Sequence, residues 1–253
     1  MSVSLHVLLA AADEILEPAR FSDYCPNGLQ VAGAETVTRI ISGVTASQAL
    51  IEAAIEEKAD AILVHHGYFW RGEDPCIVGM KRNRLALLLA NNISLIAYHL
   101  PLDAHPVLGN NAQLAKRLGI AVDGGLEANN PRSVGNVGSL PEAMSALAFA
   151  EHVEAVLGRK PLLELGHERA IKRIAWCTGG AQSYIEKAAA AGVDAYLSGE
   201  VSEPTILAAR ELGIHYIAAG HHATERYGIQ ALAGNLAEKF GLYHRFIDID
   251  NPA

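Results

Sequence analysis

The sequence predicts an α/β fold with largely parallel sheets, built from two similar halves. Three observations point there. Short apolar runs, among them Ala61-Ile62-Leu63-Val64, Leu95-Ile96-Ala97-Tyr98 and Ile217-Ala218-Ala219-Gly220, alternate with amphipathic stretches of helical length, the pattern of βαβ units. Alanine is abundant and only 6% of residues are aromatic, which suits helices packed closely on a sheet. Finally, Arg39–Leu63 slides onto Arg173–Leu197 without a gap. Arg39 then meets Arg173, Ile40 meets Ile174, Gln48 meets Gln182, and Asp60-Ala61 meets Asp194-Ala195. Generic βαβ patterning gives some of these identities, but the Gln, the Asp-Ala pair and a repeated His-x-x-x-acid step favour duplication.

In order, the first half reads as a helix near 5–17, strand 38–44, helix 47–58, strand 61–65, helix 81–91, strand 93–98 and helix 110–118. A turn-rich stretch follows from Gly124 to Gly138. The second half reads as helix 141–157, strand 171–177, helix 181–191, strand 193–198, helix 203–212, strand 214–219, helix 222–240 and strand 244–249. These elements predict two α/β domains, 1–125 and 126–253. Pockets tend to lie in clefts between domains, and like domains facing each other would bring their carboxylates to one such cleft.

A chain of 253 residues has room for two cores. Its net charge of −8 argues against a nucleic-acid footprint. No apolar stretch reaches the ~18–20 residues of a membrane span. The N-terminal MSVSLHVLLAAADEIL lacks a basic region and is broken by Asp13 and Glu14, so a helix is expected rather than a signal peptide. Cys25, Cys76 and Cys177 form no Cys-x-x-Cys pair; a reducing, cytoplasmic setting is expected.

The chemistry gathers where apolar runs stop. His65-His66, His99 with Asp103, and His221-His222 with Glu225 each follow a predicted strand, and open α/β sheets bind ligands beyond the carboxyl ends of their strands. A single histidine there is most often hydrogen-bonded to a carbonyl. Three clusters obeying one positional rule point instead to a shared N/O metal site, with more donors than one ion needs. Carboxylates suit such a pair because two oxygens reach two ions about 3.5–4 Å apart. Glu225, one helical turn after His221, is the better-placed bridge. Asp103 lies in a loop or short turn between Pro101 and Pro106. His66 would point away from His65 in a strict strand, so a turn is expected there, permitted by Gly67. The second copy has Gly199-Glu200 in place of His65-His66, making the site asymmetric.

His99 reads as an acid/base or as a hydrogen-bond donor supporting the ligands, with plain structure the alternative. His105 and His222 are weaker candidates, and His6, His152, His167, His215 and His244 read as ordinary surface or helix-face residues. Thr178-Gly179-Gly180 could present amides to a phosphate, although a tight turn explains it more simply. No nucleotide-binding motif accompanies it.

The segments SDYCPNGLQV (Ser22–Val31), GVTAS (Gly43–Ser47), ILVHHGYFWRG (Ile62–Gly72), YHLPLDAHPVLGNNAQLA (Tyr98–Ala115) and GHHATERYG (Gly220–Gly228) resemble those of the NIF3-like family. That family is also known as GTP cyclohydrolase 1 type 2 homologs. The resemblance spans the chain and is closest to short bacterial members, which lack a domain inserted between the halves. It implies the NIF3-like fold, with two interlinked domains and the metal site between them. It implies two divalent ions held by His65, His66, Asp103, His221 and Glu225, and a toroidal homohexamer with the sites facing an internal cavity. Imidazole and carboxylate without thiolate suit Zn, Mn, Fe, Ni or Co.

The function expected on this basis is metal-dependent hydrolysis of a small heterocyclic or nucleotide substrate, like GTP cyclohydrolase 1 type 2, with His99 as the catalytic candidate. The alternative is a non-catalytic metal-binding ring serving as scaffold, metal carrier or regulator. A DNA-associated ring fits the charge poorly.

Overall fold

A computed structural model describes residues 1–253. Elements follow in chain order: β1 (Val3–Ser4), α1 (Leu5–Leu16), β2 (Gly28–Val31), β3 (Thr36–Val37), β4 (Arg39–Thr45), α2 (Gln48–Glu56), β5 (Ala61–His66), α3 (Gly79–Ala90) and β6 (Ser94–Ala97). Next come α4 (Leu100–Ala104), α5 (Asn110–Leu118), β7 (Ala121–Gly125), β8 (Asn136–Met144), α6 (Ala146–Leu157), β9 (Leu162–Glu164) and β10 (Ile171–Cys177). The chain ends with α7 (Ile185–Ala190), β11 (Ala195–Ser198), α8 (Glu203–Leu212), β12 (His215–Ala218), α9 (His221–Phe240) and β13 (Tyr243–Phe246). No helix is long and apolar enough to cross a membrane.

Two compact units result. One comprises Met1–Leu102 and Gly228–Asp250; the other comprises Asp103–Tyr227 and Asn251–Ala253. The chain thus leaves the first unit, builds the second and returns, with α9 starting in one and ending in the other. This is the interlinked α/β arrangement.

The first unit carries a five-stranded sheet in the order β13-β4-β5-β6-β2, parallel except for the antiparallel edge strand β2. Its central strands are buried on both faces, as parallel strands are. Ile41, Ile62, Val64 and Leu95 pack into one core with Leu50, Ile51 and Leu88. Their neighbours Ile40, Leu63 and Ile96 line a small apolar cavity on the other face with Leu8, Ala12 and Leu236.

The second unit repeats this plan. Its six-stranded sheet runs β7-β8-β10-β11-β12-β9, with parallel β10, β11 and β12 flanked by antiparallel strands. Ile174, Trp176, Leu197 and Ile217 join Leu114, Phe149 and Val153 on one face. The alternate residues Ala175, Cys177, Tyr196 and Tyr216 pack with Ile185 and Ala209 on the other. The strand period of two is thus read directly in the cores.

The residues matched between the halves make the same bonds. Asp60 Oδ2 accepts from Thr38 N–H at 2.7 Å and Arg39 N–H at 3.0 Å. Asp194 Oδ2 accepts from Lys172 N–H at 3.0 Å and Arg173 N–H at 2.9 Å. Each aspartate ties the start of one parallel strand to the next. Ile40 pairs with Ala61 as Ile174 pairs with Ala195.

The short strands β1, β2, β3 and β9 and the helix α4 are additions to the expected elements, and one longer stretch also departs from expectation. Residues 121–144 hold β7 and β8, and the helix expected from 141 begins at Ala146, capped by Ser145, whose hydroxyl accepts from Ala148 N–H at 3.2 Å. Gly138 and Pro141 disguise β8 as a turn. Gly138 is there for space: a side chain would strike the Ala121 carbonyl and reach 3.0 Å from Trp176.

Candidate metal centre

Every candidate lies at or beyond a parallel strand's carboxyl end. In the first unit β5 runs through His65 and His66, and β6 leads through Tyr98 to His99. His65 is fully buried. Its Nδ1 donates to the Tyr98 carbonyl at 2.9 Å, which makes Nε2 the nitrogen with a lone pair to offer. His66 Nδ1 lies 3.1 Å from the Thr45 hydroxyl. Despite their successive positions, the two rings are 4.5 Å apart. No left-handed turn at Gly67 achieves this, because its φ is not positive. Glycine is needed there because a Cβ would collide with Gln30 Oε1, the oxygen that accepts from Tyr68 N–H at 2.7 Å.

His99 joins them. Ring nitrogens of His65, His66 and His99 lie within 4.8 Å of one another, a group able to hold a cation. His99 Nδ1 is 2.7 Å from Asp23 Oδ1, a partner that sequence reasoning missed. Burial alone would raise the Asp23 carboxyl, but bonds from His99 and Asn27 and the charge attraction of His99 bring it down to about 2. Cys25 is close enough to form a second such group with Asp23 and His99. Burial and the Asp23 charge push its thiol up to about 12.

In the second unit Asp103 sits on the short helix α4 and is 7% exposed; Glu225, on the second turn of α9, is 3% exposed. One carboxylate oxygen of each lies within 4.8 Å of the other's. Asp103 Oδ1 accepts from Asn110 Nδ2 at 2.8 Å and from the Thr178 hydroxyl at 3.4 Å. His221 and Glu225 share a helix face, with Nε2 and Oε2 3.2 Å apart. His221 Nδ1 is also 2.7 Å from Glu200 Oε1. Burial disfavours a charged His221, yet Glu225 and Glu200 outweigh it and raise its pKa to about 9. A field from Glu225 and Glu200 that so favours positive charge suits a divalent cation.

Glu200 is the other missed partner. It occupies the position where the first half has His65-His66, so the two copies turned one strand end to different uses. Thr178-Gly179-Gly180 is a tight turn and not an anion cradle. Thr178 N–H donates to Asn111 Oδ1 and Gly179 N–H to the Thr224 hydroxyl, each at 3.0 Å.

Among the remaining histidines, His105 and His215 bond to nearby backbone groups. His105 Nδ1 accepts from Val107 and Leu108 N–H groups. His215, expected at the surface, is 1% exposed in β12. Its Nδ1 accepts from Gly166 N–H and its Nε2 donates to the Arg169 carbonyl, while its ring lies 3.9 Å from that of His167, tilted by 56°. Burial lowers the pKa of both His215 and His244. Their folded values thus lie below the ordinary imidazole range. As pH falls through about 6.5 the unfolded chain takes up protons first, and stability drops. Urea midpoints should fall between about pH 7.5 and about pH 5. Replacing His215 and His244 by Gln should flatten that fall; an unchanged slope would count against the assignment.

The profile of the family described as Duf34/NIF3 (NGG1p interacting factor 3) matches residues 3–252. A Pseudomonas aeruginosa protein named GTP cyclohydrolase 1 type 2 homolog is 62% identical over 253 residues, 100% of both chains. An Escherichia coli K12 protein of the same name is 58% identical over 243 residues, 95% of this chain and 96% of the relative. Among solved structures, one described as protein ybgI of unknown function aligns with a TM-score of 0.96 at 55% identity, covering 99% and 100% of the two chains. TTHA1606 from Thermus thermophilus aligns at 0.91 and 32% identity, again over 99% and 100%.

Proposed function

The chain belongs to the Duf34/NIF3 family, and on that premise we propose that it is a metal-dependent hydrolase. Its ligands are His65, His66, Asp103, His221 and Glu225, and together they hold two divalent ions. The observation carrying this reading is the treatment of the imidazoles. His65, His66 and His221 each have Nδ1 engaged by a protein oxygen, at 2.9, 3.1 and 2.7 Å, which orients Nε2 for coordination. His99 has the same arrangement with Asp23, and it is the family resemblance that supports the first three, and not His99, as the ligands. Asp103 and Glu225 supply the oxygen ligands and offset the charge.

Bound divalent ions would lower the pKa of a coordinated water and so provide a nucleophile near neutral pH. The protein's own task is orientation and proton movement. His99, walled edge-on by Trp70 at 5.0 Å, holds no place in the ligand set and serves as the base or acid. The shared name of the relatives makes GTP the first substrate to try, with other nucleotides and cyclic amides next. The family resemblance extends the reading to a cytoplasmic homohexamer; light scattering that gives a monomer with metal present would remove that part.

Elemental analysis of untagged, metal-replete protein should find about two divalent ions per chain, since three imidazoles and two carboxylates overfill one tetrahedral site. Saturation at a single ion would defeat the paired site. A screen that yields no metal-dependent product would leave the non-catalytic scaffold or carrier as the better account.

A further inference from the structure

The carboxylate of Asp23, 4% exposed, is surrounded by donors. Oδ1 accepts from Tyr24 N–H at 2.6 Å and contacts His99 Nδ1 at 2.7 Å. Oδ2 accepts from Asn27 Nδ2 at 2.8 Å and Leu100 N–H at 3.0 Å. A carboxylate only accepts, so the His99 nitrogen must carry the proton. In the neutral ring this is the Nδ1–H tautomer, with the lone pair on Nε2. An amide at position 23 would set its NH2 either against the Asn27 and Leu100 donors or against Tyr24 N–H and His99 Nδ1, the latter favouring the opposite His99 tautomer.

The remaining contacts place the ring beside the other two histidines. Asn27 Oδ1 accepts from His99 N–H at 2.8 Å. The His99 ring lies 5.1 Å from that of His65 and 5.7 Å from that of His66. We propose that Asp23 is a positioning residue for His99, holding it as the Nδ1–H tautomer with Nε2 an uncoordinated base facing His65 and His66. The inference rests on the metal-dependent reading above and adds to it the residue that prepares the proton-moving group. It competes with two simpler accounts. In one, Asp23 merely clamps the segment 23–27 to residues 99–100. In the other, His99 is itself a metal ligand.

Diethyl pyrocarbonate acylates a neutral imidazole nitrogen that carries a lone pair, and peptide mass mapping reads each histidine separately. Labelling the metal-replete protein at about pH 8.5 keeps ordinary imidazoles neutral. His99 should be labelled with the metal in place. Asp23→Asn should slow that labelling about tenfold or more, in the range for loss of an orienting partner. Asn27→Ala removes the bond to His99 N–H and one bond to Asp23 but spares the Asp23–His99 pair. It should slow labelling by less than about threefold.

Equal slowing in both variants would reduce Asp23 to a clamp and overturn the inference. So would unchanged labelling in Asp23→Asn. His99 that is protected until the metal is chelated would be a ligand and not a base; this arm uses only the wild type and holds if Asp23→Asn fails to fold. With GTP as the probe of turnover, Asp23→Asn should lower kcat about 10- to 100-fold with KM unchanged; an unchanged kcat would overturn the inference. If the wild type turns over no GTP, the GTP assignment fails by itself, and the labelling still decides the role of Asp23.

Discussion

Gly179→Ala is expected to strip bound metal from the protein while leaving the fold largely in place. Gly179 has a φ of +67°, which only glycine adopts cheaply, and an added Cβ would land on Glu225 Oε1 and 3.2 Å from His221 Nε2. The backbone cannot retreat. Gly179 N–H is bound to the Thr224 hydroxyl, and its carbonyl accepts from Gly199 N–H at 2.9 Å and the Ser198 hydroxyl at 3.1 Å. The carboxylate must therefore move, taking with it the ligand proposed to bridge two ions. Holding an alanine in the left-handed region costs about 1–2 kcal/mol by itself, too little to unfold an ordinary domain. Elemental analysis should show metal per chain falling about tenfold or more with an unchanged circular dichroism spectrum. A variant that keeps its full metal content would show that Glu225 is not a principal ligand.

The parallel strands and the groups after them were legible for one physical reason. Strands buried on both faces are mostly apolar, so the histidines that follow Val64, Tyr98 and Gly220 mark the carboxyl ends of the strands and the site together. Antiparallel edges leave no such mark. β2, β7, β8 and β9 are short, or carry Gly and Pro, and show no clean alternation. The partners of the candidate histidines were illegible for another reason. Asp23 and Glu200 meet His99 and His221 across 76 and 21 residues, and no local spacing encodes such a contact. The Asp23 motif stood out as a family segment, but its four hydrogen bonds needed coordinates. His215 shows the opposite error: a polar residue at the start of a strand looks exposed until its two backbone partners are seen.

Asp103→Ala and His99→Ala should part metal binding from catalysis. Asp103 is buried, and its Oδ1 satisfies Asn110 Nδ2 and the Thr178 hydroxyl. Its removal strands those donors and takes one of two carboxylates from a site that must offset the charge of divalent ions. Metal and turnover should be lost together, because a ligand set with only Glu225 as an anion under-compensates the cations. His99→Ala removes a ring whose Nδ1 is already bound to Asp23 and which lies outside the proposed ligand set. Most of the metal should remain while turnover of GTP, or of whichever screened compound is a substrate, falls about 10²–10⁴-fold, the usual weight of a positioned acid or base. Metal content by elemental analysis and turnover on the same preparations separate the outcomes. Metal lost from His99→Ala as fully as from Asp103→Ala would make His99 a ligand. Turnover that survives in His99→Ala would place the base elsewhere, and product formed after complete chelation would end the metal-dependent mechanism for this chain.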